Sequence, residues 1–367
     1  LPRKSGVSEL PLSGSVPFTS PISMEQAFVL PHCGEIKGMG IPCGVTLIVG
    51  GGYHGKSTLL EAIQSGVYNH IIGDGREYVV TDNTAVKLRA EDGRSVRNVN
   101  ISLFINDLPD KKDTTSFTTV DASGSTSQAA GVIESIEAGS KLFLIDEDTS
   151  ATNFMVRDEF MQQVIIREKE PITPYIERVR DLYEKAGIST IMVAGSSGAF
   201  FHIADHILLM DCYHAEEITI KVKELCKERT DFKLRAHTFA LPENKRVLPV
   251  FCRAEKNRRG ERQDNRYEHM KVKANGLESF SLDKETVIVR YLEQLVDSEQ
   301  TTALGYLLRF GLEQVLDGRR SVQEVVRIIM DTMERKGWEA FCSSYVPCGL
   351  AMPREQEVYA CLNRFRG

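Results

Sequence analysis

The sequence predicts an α/β fold, with an antiparallel β-subdomain at about residues 70–105 and a helical C-terminal region. Three observations carry it. Residues 45–49 and 142–145 are short runs, apolar or β-branched throughout, as strands buried on both faces should be. Residues 70–105 alternate polar and apolar around Gly-Asp-Gly and Asp-Gly turns, which predicts antiparallel strands. After Leu282, apolar residues recur at helical spacing over 286–296, 299–316, 322–335 and 355–365.

The chain has 367 residues, enough for two or three domains that each bury a core. It is 42% hydrophobic and 26% charged, ordinary for a soluble protein, and no apolar run is long enough to span a bilayer. A formal net charge of −6 predicts no overall affinity for nucleic acid or anionic membranes. The eight cysteines are scattered without a Cys-x-x-Cys pair, and Cys342 and Cys348 have no nearby His to complete a zinc set. They read as reduced thiols of an intracellular protein. Residues 1–23, rich in Pro, Ser and Gly, read as a linker with no signal-peptide or transit-peptide pattern.

The first apolar run enters Gly50-Gly51-Gly52-Tyr53-His54-Gly55-Lys56-Ser57, followed by Thr58 and a helical pattern. This satisfies G-x-x-x-x-G-K-[ST] at every fixed position, in the strand–loop–helix context the motif requires. Glycines let backbone N–H groups turn inward around phosphates, and the helix N-terminus adds its positive dipole end. Residues 50–58 are therefore the expected nucleoside-triphosphate-binding stretch of a P-loop NTPase. Lys56 is assigned to the β- and γ-phosphates and Ser57 to Mg²⁺. Tyr53 and His54 belong at the loop tip, where solvent exposure is expected.

The second run ends in Asp146-Glu147. A carboxylate at a strand's C-terminal edge beside a phosphate loop can hold Mg²⁺ through water, the expected role of Asp146. Glu147, one residue on, is placed to accept a proton from the attacking water. Upstream, Ser123-Gly124-Ser125-Thr126-Ser127-Gln128 precedes a helical pattern through Ala138, so it caps a second anion-binding helix end. Two such ends on one chain are hard to bring onto one phosphate chain. A head-to-tail dimer would close the second over the other subunit's nucleotide.

At these residues the sequence resembles the ABC ATPases. Residues 123–128 look like a lengthened Leu-Ser-Gly-Gly-Gln signature, and Thr149-Ser150-Ala151-Thr152-Asn153 resembles their D-loop. A closer resemblance is to the predicted ABC-class ATPases. It runs over "GMGIPCGVTLIVGGGYHGKSTLLEAI", "GVYNHIIGDGRE", "RAEDGRSV", "ASGSTSQAA", "LIDEDTSATNFMVRD" and "EKEPITPYIERVRDLY", and spans most of residues 1–300. Members usually carry a further N-terminal region, so the chain resembles the later part of a longer protein. Within that family the chain resembles a mitochondrial RNA-binding ATPase of the trypanosome RNA-editing apparatus.

The resemblance implies an ATP- and Mg²⁺-dependent homodimer without a membrane span, a mitochondrial location and an RNA or ribonucleoprotein partner. The implied role is remodelling or gating of RNA complexes in RNA editing. It puts Ser123, Gly124 and Ser125 of one subunit on the other's γ-phosphate. Where such ATPases place a switch His, this chain has Ser196 or Ser197, which cannot carry a positive charge, and slow hydrolysis is expected. The Gln that senses Mg²⁺ is not evident; Asn106 is the candidate, as Phe28 is for adenine stacking. The implied organisation is a linker at 1–23, an ATPase core at 24–240, a basic segment at 241–280 and a helical domain at 281–367.

Residues 245–273 hold ten Lys and Arg against four acids, a local +6 that leaves −12 on the remainder. Arg253, Lys256, Arg258, Arg259, Arg262 and Arg266, with Phe251 and Tyr267 beside them, suit phosphate contact with base stacking of single-stranded or structured RNA. The alternative is an ATP-gated protein-interaction scaffold without nucleic-acid contact. A small-molecule kinase fits less well, because simple P-loop kinases lack a signature before the Asp-Glu.

Overall fold

In this computed structural model the described residues are all except 7, 158–169, 196, 228–238, 244, 251–254, 257–261, 264–268, 343–344 and 367. For 255–256 and 262–263 only the backbone is described. The chain divides into two compact units, residues 1–90 with 140–240, and 91–139 with 241–367.

The first unit is built on a six-stranded sheet. In chain order its strands are β3 (Val45–Val49), β4 (Val86–Leu88), β7 (Leu142–Asp146), β8 (Ser189–Val193), β9 (His206–Asp211) and β10 (His214–Glu217). Their spatial order is β10-β9-β3-β8-β7-β4, parallel throughout except for the β9–β10 hairpin. All five residues of β3 are buried, so both sheet faces are covered, which suits its apolar and β-branched run Val45-Thr46-Leu47-Ile48-Val49. Helix α1 (Lys56–Ser65) packs on β7 and β8 through a core that includes Ile48, Leu60, Ile63, Leu144 and Val193. Helix α4 (Val179–Ala186) packs on β8 and β3 and ends at Gly187, whose φ of 66° suits glycine at a left-handed C-cap. A separate antiparallel hairpin joins β1 (Glu25–Leu30) to β2 (Gly34–Met39).

The second unit holds β5 (Arg94–Val99) paired antiparallel with β6 (Phe117–Ala122), and α2 (Gly124–Glu137). It also holds a three-stranded meander of β13 (Val272–Asn275), β14 (Ser279–Leu282) and β15 (Glu285–Ile288). Helices α6 (Ser298–Phe310), α7 (Val322–Lys336) and α8 (Glu355–Arg364) complete it, α6 running into a π-helical turn at Gly311–Val315. Capping boxes start two of these helices, Asp297 with Gln300 and Ser321 with Glu324. Their apolar faces share one core with Phe280, Leu282 and Val287 of the meander. Trp338 packs against this core, its ring 6.2 Å from that of Phe341.

Two expectations change. Within 70–105 the turns form at glycines as expected, Gly73, Gly75 and Gly93 all having positive φ. However, β4 joins the central sheet in parallel with β7, and β5 finds its antiparallel partner at 117–122, beyond that window. Alternation identifies a strand, not its neighbour. The expected helix at 286–296 is likewise replaced at its start by β15. Asp283, at φ 53°, opens a two-residue turn after Leu282, and the β-branched run Thr286-Val287-Ile288-Val289 favours the strand it enters.

Candidate nucleotide site

The phosphate loop leaves β3 and enters α1 as the sequence predicts. Gly50 has φ 142° and lies so close to β9 that a Cβ there would stand 2.2 Å from the Met210 carbonyl oxygen. Gly55, at φ 96°, is the N-cap of α1, and no side chain caps the helix. The first-turn N–H groups are thus left to an anion, the arrangement a phosphate needs. Gly52 has open space around it, and the Ser57 hydroxyl is exposed on the first turn. The Lys56 ammonium donates to the Gly50 and Gly51 carbonyls at 2.9 and 2.6 Å, folding onto its own loop. Residues 50–58 therefore fit a phosphate chain, with Lys56 within the cradle.

The sheet brings the carboxylates to the same edge. Val193 of β8 is level with both Ile48 of β3 and Asp146 of β7, so the loops after these three neighbouring strands share one C-terminal edge. Ligands of open parallel sheets bind at this edge. Two strand spacings, about 10 Å, separate β3 from β7. Asp146 is buried at the strand end, its Oδ1 accepting the Asp148 amide at 3.1 Å and its carbonyl accepting the Ser150 hydroxyl at 2.8 Å. Glu147 Oε2 accepts the Gly195 amide at 2.7 Å, joining the carboxylate after β7 to the loop after β8. Asp146 and Ser57 offer hard oxygen donors of the kind Mg²⁺ takes.

The remaining predicted residues fall on other elements or outside the described residues. Ser123, Gly124 and Ser125 form the start of α2 in the second unit, where Ser123 Oγ caps the Thr126 amide at 3.4 Å. Asn106 also belongs to the second unit, and its amide nitrogen donates to the Ser102 carbonyl at 2.6 Å. Phe28 sits half-exposed on the β1–β2 hairpin. Ser196 lies outside the described residues, as do Arg253, Arg258, Arg259 and Arg266. Lys256 and Arg262 fall on a two-residue antiparallel pairing of 255–256 with 262–263. Among the described residues, Arg290, Tyr291 and Arg366 line a cleft of the second unit together with Arg94 and Arg364. Arg94 is already paired with Glu134 and Arg364 with Glu91.

Tyr53 is fully exposed, as expected of a loop tip, but His54 is not free. Its Nδ1 lies 3.0 Å from Asp211 Oδ1 and 3.1 Å from the Cys212 backbone nitrogen. No local signal announces this contact, because its two sides stand 158 residues apart. The same holds for Glu147 and Gly195.

No helix among the described residues is long and apolar enough to cross a membrane. The chain is 33% identical over 190 residues to the uncharacterized protein MJ1628 of Methanocaldococcus jannaschii, a match covering 51% of this chain and 41% of that protein. The chain thus spans about two fifths of the curated relative's length. Two solved structures are similar at low identity. One is cbiO1 from Clostridium perfringens, part of the ABC transporter complex cbiONQ (14% identical, 53% of this chain and 84% of that one, TM-score 0.35). The other is the ADP conformation of MJ1267, an ATP-binding cassette of an ABC transporter (12% identical, 56% and 93%, TM-score 0.34). Residues 271–367 match the MRB1590 C-terminal domain. Residues 1–245, two thirds of the chain, match the ABC ATPase P-loop domain, and with the loop of residues 50–57 and Asp146-Glu147 on one sheet edge, the chain belongs to the ABC ATPase family.

Proposed function

We propose that this chain hydrolyses ATP as a homodimer whose cycle remodels or gates RNA or ribonucleoprotein complexes, in mitochondrial RNA editing. The observation that carries the hydrolytic part is the common edge of β3, β8 and β7, where Glu147 is held by the Gly195 amide. The glycine amides and the uncapped start of α1 bind the phosphates, and Lys56 turns from its loop carbonyls to their charge. Ser57 and Asp146 would hold Mg²⁺, which supplies neutralisation of phosphate charge when bound. Glu147 orients a water and accepts its proton. In place of a switch His the loop after β8 offers Ser196 or Ser197, consistent with slow turnover. Ser123, Gly124 and Ser125 of one subunit close over the other's γ-phosphate.

RNA contact is supported by the charge concentrated in residues 245–273 and by the match of residues 271–367 to the MRB1590 C-terminal domain. A labelled single-stranded RNA titrated with the full chain over a salt series tests it. Micromolar or tighter binding that weakens steeply with salt, and is lost on changing Arg258, Arg259 and Arg262 to Ala, is the expected result. Absence of binding at low salt would favour the scaffold reading, in which the ATP cycle acts on protein partners.

A further inference from the structure

The geometry points to a zinc-class cation site where the phosphate loop meets the turn after β9, formed by His54, Asp211 and Cys212. One ligand atom from each residue, the imidazole nitrogen, a carboxylate oxygen and the sulfur, lies within 4.8 Å of the other two. All three side chains are reachable from solvent, those of His54 and Asp211 being 34% and 69% exposed.

The cluster is held by backbone rather than by chance proximity of side chains. Asp211 ends β9, and its pairing with His214 leaves Cys212 and Tyr213 as a two-residue turn. Both have positive φ, 46° and 71°, a conformation that glycine and asparagine fill at lower cost. The turn is nevertheless set against the phosphate loop on two sides. The Met210 carbonyl abuts Gly50, and the Tyr213 ring comes within 3.3 Å of where a Gly55 Cβ would stand. His54 and the turn therefore keep a fixed relation.

An imidazole, a carboxylate and a thiolate, with a fourth position left to water, form a donor set suited to tetrahedral Zn²⁺. The sulfur makes the set unsuited to Mg²⁺ or Ca²⁺, which take oxygen donors. The site is thereby chemically distinct from the Mg²⁺ position assigned to Ser57 and Asp146. A cation there would add coordinate bonds between the phosphate loop and the turn after β9, which the Cys212 amide already joins by donating to His54.

The test uses the full chain, freed of metal by a chelator and titrated with Co²⁺ as a spectroscopic probe. The expected result is one equivalent bound per chain, with a thiolate-to-cobalt absorption band and tetrahedral visible bands, all displaced by Zn²⁺. Cys212→Ser should remove the thiolate band, and Asp211→Asn should weaken binding at least tenfold. Both positions are exposed, and circular dichroism melts would verify that the variants fold. Absence of a thiolate band, an unchanged band in Cys212→Ser, or unchanged affinity in Asp211→Asn would each overturn the site. Metal binding is read without ATP or RNA, so the result stands apart from the fate of the proposed function.

Discussion

Glu147 Oε2 and the Gly195 amide are joined by a 2.7 Å hydrogen bond across the ends of two adjacent parallel strands. The bond orients the Glu147 carboxylate at the edge that β3, β8 and β7 share. It also makes the loop after β8 sensitive to the state of Glu147.

Glu147→Gln keeps an acceptor for the Gly195 amide but loses the base. Turnover of ATP should fall about 10²-fold or more while ATP affinity stays within a few-fold of the parent. Phosphate release and equilibrium nucleotide binding, measured side by side, check it. Undiminished turnover would remove Glu147 from the proposed role.

Lys56→Ala removes the ammonium now shared by the Gly50 and Gly51 carbonyls. ATP affinity should drop by at least tenfold, about 1.4 kcal/mol, with little change in thermal stability. Fluorescent-nucleotide titration and a melt in the absence of nucleotide separate the two effects.

Gly50→Ala meets both a φ of 142° and the Met210 carbonyl at 2.2 Å. Backbone strain of this kind costs about 1–3 kcal/mol. For a unit of this size that corresponds to a fall in Tm of roughly 2–12 °C. An unchanged Tm would mean that the loop relaxes away from β9.

Asp74 bonds Arg3 at 2.7 Å and His70 at 2.6 Å, largely out of solvent. Burial pushes its carboxyl up, but the hydrogen bonds and charges of Arg3 and His70 outweigh this and hold it below the usual Asp range. A depressed folded value means that the stabilisation is complete above the ordinary Asp value and is lost as pH falls through the folded one. The first unit should therefore lose stability at acidic pH. Asp74→Asn should cost about 1–3 kcal/mol at neutral pH and flatten that part of the acid dependence. Denaturant melts at neutral and acidic pH measure both.

In the second unit Arg246 is buried with its guanidinium on Glu137 and its Nη2 2.6 Å from Asn363 Oδ1. Glu137→Ala leaves that charge without its carboxylate and should destabilise the unit by about 3–5 kcal/mol, read from denaturant midpoints. Replacing both Glu137 and Arg246 by apolar residues should recover much of the loss.

The parts of this protein legible in its sequence are those whose physics is local. Residues 45–65 contain a buried strand, a glycine turn and a helix start in succession, and each is set by neighbours a few positions away. Ser123 as a cap of α2 is of the same kind. Tertiary structure decided which strands pair and which side chains meet. β4 reads as an antiparallel strand until β7 takes it in parallel, and 286–288 reads as helix until a turn at Asp283 folds it onto β14. Glu147 finds Gly195, and His54 finds Asp211, only because parallel pairing lines up the ends of β7, β8, β3 and β9. Periodicity and propensity act over a turn or a strand, whereas register between distant strands is chosen by what the whole sheet can bury.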